Sequence, residues 1–118
     1  MDFHFTSKAV NYHLMRAVAL LASSELDYTS QALIEADTAL GIAQEAVKHG
    51  ENAYNLECKS QFYRGLCLIE MKKWREANWA LTRAACIESW AEQVGNLGRE
   101  CRLRLLEETR SKKKTVNL

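Results

Sequence analysis

The sequence predicts an all-α fold, and three observations carry that prediction. Proline is absent from all 118 residues, although average usage would place ~6 in a chain of this length. The residue that breaks helices is therefore missing. Glycine occurs only five times, too rarely for a chain of many tight β-turns. Apolar residues recur every three or four positions, and no stretch alternates β-branched residues as a strand would. One domain accounts for this length, and it can bury about two thirds of the surface its unfolded chain exposes. Hydrophobic residues at 47% and charged residues at 26% are the mixture of a folded chain.

The stripes define five helices. The first is expected over 7–25, where Val10, Leu14, Ala17 and Leu21 draw one face and Thr6 or Ser7 can cap the start. Residues 1–7 read as a lead-in. The segment 25–30, with Asp27, Thr29 and Ser30, has turn and cap chemistry. A second helix follows over 30–49 with the stripe Leu33, Ala36, Leu40, Ala43 and Val47. Lys48, His49 and Gly50 form its stop signal: cations at the negative end, then a residue free to adopt the left-handed cap. The third helix covers 52–71. Its end at Lys72–Lys73 has no Gly or Pro to mark it, so one continuous rod through this point is the alternative. The fourth covers 74–88, with Ala77, Ala80, Leu81, Ala84 and Ile87. The fifth starts near Ala91 and carries Val94, Leu97, Cys101 and Leu105. One helical domain is thus expected over 1–110, and 111–118 reads as a basic, flexible tail.

Charge and cysteine content exclude several classes. Net charge is +1, but residues 99–118 alone hold seven bases and three acids, so a basic end follows a mildly acidic body. No apolar run is long enough to span a membrane, and the start, Met-Asp-Phe-His-Phe, is unlike a secretory signal. The expected compartment is the cytosol, with the nucleus as a second option. Cys58, Cys67, Cys86 and Cys101 form no C-x-x-C, and His4, His13 and His49 no H-x-x-x-H. Free structural thiols and no metal are the expectation. There is no phosphate loop, nucleophile elbow or zincin motif, so no catalytic residue and no cofactor is expected.

An internal repeat is visible. Glu35, Ala36, Leu40 and Ala43 coincide with Glu76, Ala77, Leu81 and Ala84 at an offset of 41. In the second unit Gly65 and Leu68 precede a turn, Met71-Lys72-Lys73-Trp74, whose aromatic lies three residues before Ala77. These residues resemble the tetratricopeptide repeat family. Gly65 stands at its small helix-A position, and Leu81 and Ala84 at its large and small helix-B positions. Gln61 and Arg64 replace an aromatic and a leucine, Ser89 replaces a proline, and the offset exceeds the family's ~34 residues. The resemblance implies antiparallel hairpins in a right-handed superhelix.

It also implies a non-catalytic adaptor that holds a peptide or amphipathic helix of a partner protein in a helix-lined groove. The matching groove positions are Lys59, Phe62, Leu66, Ile69 and Glu70. The same apolar residues could instead be core beneath the first helix, and both readings stay open here. Phe62 and Leu66 stand where the carboxylate-clamping subclass has polar residues, so carboxylate clamping is not expected. The basic residues Arg99, Arg102, Arg110, Lys112, Lys113 and Lys114 form a rival surface for nucleic acid or another acidic partner. Interleaved acids and the lack of stacking aromatics favour a solvated helix end instead. Two hairpins and one helix fall short of the ~three repeats that usually stabilise a solenoid. Self-association through an exposed end face, or docking into a larger assembly, is therefore expected.

Overall fold

Buried alanines decide how the helices pack. A computed structural model describes residues 3–23, 26–85 and 91–116, the side chains at 3, 26, 91 and 113–116 apart. The helices are α1 (Phe3–Ala22), α2 (Leu26–Lys48), α3 (Tyr54–Glu70), α4 (Trp74–Ala84) and α5 (Ala91–Val116). All regular structure among the described residues is helical. Each helix packs on the one before it, and α3 also touches α1. The molecule is elongated, 59 × 29 × 22 Å.

On α2, Ala32, Ala36, Ala39, Ala43 and Ala46 are buried, while Leu33, Leu40 and Val47 are only half-buried. The expected stripe is therefore turned: small residues take its centre and large ones its flanks. This lets α1 and α3 approach the same helix closely from two sides. On the other hairpin Gly65 faces Leu81 so tightly that a Cβ at Gly65 would lie 2.8 Å from Leu81 Cδ2. Ala77, Ala80, Leu81 and Ala84 are all fully buried. Of the matched positions, the alanines Ala36, Ala43, Ala77 and Ala84 are buried in both helices, whereas Leu40 is half-buried and Leu81 fully buried.

Helix ends follow local chemistry. After α2, Gly50 adopts φ 87°, with Gly50 N–H donating to Val47 C=O at 3.0 Å and Glu51 N–H to Ala46 C=O at 3.0 Å. That is the Schellman arrangement. The unmarked break after α3 is real and has the same geometry. Lys72 has φ 59°, and the N–H groups of Lys72 and Lys73 donate to Ile69 and Leu68, each at 2.9 Å. A lysine here occupies a conformation that glycine takes without steric cost.

Other ends depart from expectation. α1 starts at Phe3, so the expected lead-in is largely helix. Thr6 is buried and donates its hydroxyl to Glu51 Oε1 at 3.0 Å, a tertiary bond in place of a cap. Ser7 accepts from Asn11 Nδ2 at 3.3 Å. α2 begins at Leu26, inside the expected turn. α5 continues to Val116, past the end of its apolar stripe at Leu105. Lysine and arginine are good helix formers, suit a helix C-terminus, and no breaker intervenes. At ~1.5 Å per residue α5 is ~39 Å long against ~16 Å for α4, so it overhangs. Its described side chains from Leu106 to Lys112 are all exposed.

The cysteines divide. Cys67 and Cys101 are free and buried, as expected. Burial and then the charge of Asp37 push the Cys67 thiol up to about 12, and burial also raises Cys101. Cys58, by contrast, is disulfide-bonded, against the expectation of a free thiol. Cys86, Ile87, Ser89 and Trp90 lie outside the described residues, as do Asn117 and Leu118.

Candidate functional site

Parallel alignment of α1 and α3 opens a groove of about 400 Å³ between them, lined by Asn11, Leu14, Met15, Val18, Ala19, Lys59 and Tyr63. The alignment follows from chain direction, since α2 runs against both neighbours. One bond spans the groove: Lys59 Nζ donates to Asn11 Oδ1 at 2.8 Å. Met15 and Val18 stand exposed on the α1 wall. Tyr63, on the α3 wall, packs against two core clusters and meets Phe62 edge-on at 5.5 Å. No carboxylate lines the groove. It is an apolar trough with an amide and an ammonium at one end.

The residues expected in the groove separate in space. Lys59 lines it. Phe62 is 5% exposed and belongs to the core shared by α3, α4 and α5, not to one beneath α1. Leu66 and Ile69 are half-buried against that same cluster. Glu70 is exposed at the end of α3. The loose match of α1 to the repeat hides Met15 and Val18; Asn11 stands out beside Lys8 but at the wrong spacing for a carboxylate clamp, and Tyr63 reads as one more apolar position of the third helix.

On the other side of α1, a cleft of about 350 Å³ is lined by Arg16, Ala19, Leu20, Gln31, Ile34 and Glu35. Its polar edge is an ion cluster. Glu35 accepts from His13 Nδ1 at 2.7 Å and from Arg16 Nε at 2.9 Å. The His13 bond first, and then Arg16, hold the Glu35 carboxyl below its ordinary range. Arg16 also donates to Tyr12 Oη at 3.3 Å. These groups pair with one another.

The basic residues of α5 have a helical phase. At ~100° per residue, Arg99, Arg102 and Arg110 share a face with Leu103 and Leu106, Glu107 borders that face about 40° beyond Leu103, and Glu100 and Glu108 lie further round. All eight are exposed. Arg102 Nη1 lies 3.4 Å from Asn78 Oδ1. Lys112 is exposed as well, and the side chains of Lys113 and Lys114 lie outside the described residues.

Among the described residues no three His, Cys, Asp or Glu side chains come together as a metal-binding group, and no helix is long and apolar enough to cross a membrane. Compared with known proteins, the chain matches no family, no curated protein and no solved structure.

Proposed function

We propose that the chain is a non-catalytic interaction module, an adaptor of tetratricopeptide-like build that seats a peptide or helix of a partner protein between α1 and α3. The observation that carries this reading is the open apolar trough with exposed Met15 and Val18 on one wall and the Lys59–Asn11 pair at its end. Apolar side chains left in water beside a fixed polar pair suit a segment with hydrophobic anchors and a terminal or side-chain acceptor. The packing of α1 on α3 and the matched alanines of α2 and α4 support the repeat architecture.

The test is selection of peptides from a displayed library, followed by titration of the winners. Val18→Asp and Lys59→Ala are expected to weaken capture at least tenfold while far-UV helicity stays unchanged. Both residues lie at the surface, so folding survives. Selected peptides that bind both variants normally would place recognition elsewhere.

A second reading rests on α5. Three arginines and two exposed leucines on one face of an overhanging helix suit an acidic surface. Replacing Arg99, Arg102 and Arg110 by Gln should then abolish a steeply salt-dependent binding to polyanions. Binding that ignores both salt and these substitutions rejects it.

A further inference from the structure

α1 is apolar on two opposite faces, and the fold uses only one. Thr6, Val10, Leu14 and Ala17 are buried inward. Across the helix, Phe5, Lys8, Tyr12, Met15, Ala19 and Ala22 succeed one another at steps of three and four. At ~100° per residue they fall within an arc of about 100°. All six are exposed, with Phe5 at 63%, Tyr12 at 55% and Met15 at 72%. Large apolar side chains aligned in water on one helix face mark a contact surface.

We infer that this ridge is covered by α1 of a second copy, antiparallel across a two-fold axis that passes between Tyr12 and Met15. The order of side chains carries the inference. Reversing the ridge about that axis maps it onto itself: Phe5 meets Ala22, Lys8 meets Ala19, and Tyr12 meets Met15. Every level then sets a large side chain against a small one, or an aromatic ring against a thioether, which is a favourable contact. The three-and-four spacing is the seam of a left-handed helix pair. A two-fold contact requires just such a self-complementary patch.

Charge selects the direction. α1 contains Lys8 and Arg16 and no carboxylate. A parallel pair would stack Lys8 on Lys8 and Phe5 on Phe5, and leave the alanines facing a gap. The antiparallel pair holds the two Lys8 residues ~16 Å apart along the axis, beyond the ~8 Å screening length. Each lysine stem lies along the partner's alanine and its head reaches water. Arg16 is already occupied by Glu35. Phe5, Tyr12 and Met15, with the Lys8 stem and the two alanines, offer on the order of 500 Å² of surface per copy, taking ~150–250 Å² for an aromatic side chain. Doubled, that reaches the lower bound of a specific interface, ~1,000 Å². Met15 and Ala19 also line the groove, so a paired α1 and a seated peptide exclude one another, and the register cross-link, which a bound peptide cannot give, tells the two readings apart.

Sedimentation velocity of the full chain tests the pairing, and cysteine cross-linking tests its register. The expected result is a dimer at micromolar concentration that Met15→Glu converts to monomer without loss of helicity. In the register test, chains carrying Phe5→Cys and chains carrying Ala22→Cys cross-link when mixed under oxidation. Each alone gives no more than the unsubstituted chain does. A monomer at up to about 100 µM, or a dimer indifferent to Met15→Glu, overturns the inference. So does self-cross-linking of Phe5→Cys, which reports a parallel pair.

Discussion

Gly65→Ala changes sign with its neighbour, and that makes it the sharpest test of the packing. In an isolated helix the substitution gains ~1 kcal/mol, because alanine loses less backbone freedom than glycine on folding. Here the new methyl would sit 2.8 Å from Leu81 Cδ2 and 2.9 Å from Leu81 Cγ. Leu81 is fully buried, with Ala77, Ala80 and Ala84 around it, so it cannot swing aside. Overpacking of this kind costs ~1–3 kcal/mol. The two effects leave a net loss of about 1 kcal/mol, a fall of roughly 3–5 °C in Tm for a domain of this size. Leu81→Ala alone costs ~2–5 kcal/mol through the cavity it opens. In that background the methyl at position 65 has room, and Gly65→Ala should gain about 1 kcal/mol. Urea unfolding of the four chains, followed by circular dichroism, gives the coupling directly. Stabilisation by Gly65→Ala in the unsubstituted chain would refute the reasoning and, with it, the close approach of α3 and α4.

Three further outcomes follow from named residues. Lys72→Gly relieves the left-handed lysine at φ 59° and should stabilise by about 0.5–1 kcal/mol in the same assay; a loss would mean that the break after α3 has another geometry. Gln61 is buried and its Oε1 has no hydrogen-bond partner among the described residues, so Gln61→Met should raise stability by ~1 kcal/mol, read as a higher urea midpoint at unchanged slope. Glu35, held below its usual range first by His13 and then by Arg16, contributes stability present above the ordinary carboxylate pKa of ~4.3 and lost as pH falls through its lower folded value. The Tm of the unsubstituted chain should therefore drop towards that of Glu35→Gln below about pH 4; a gap that stays constant down to pH 2.5 would deny the cluster that role.

Much of the fold was legible because helical periodicity is a local property. Val10, Leu14 and Ala17, or Ala77, Leu81 and Ala84, announce a buried face whatever lies opposite. The stop at Gly50 was equally plain, since the residue carries its own conformational freedom. Lys72 was harder: any residue can be forced left-handed when the chain on both sides demands it, and nothing in lysine advertises that. The groove was largely illegible. Phe62 and Met15 both sit on apolar helical stripes, yet one is core and the other stands in water. Which of the two is covered depends on where α4 and α5 end up.

Order along the chain was thus enough to set the class, five helices, the inward faces other than that of α2, and the buried alanines matched between α2 and α4, because each depends on neighbours within about two turns. Distance across the chain decided the rest. The bond from Lys59 to Asn11 joins residues far apart in sequence, and the turned stripe of α2 and the uncovered ridge of α1 depend on which other helices lie against them. Only the summed packing of the helices brings such residues together or leaves them bare.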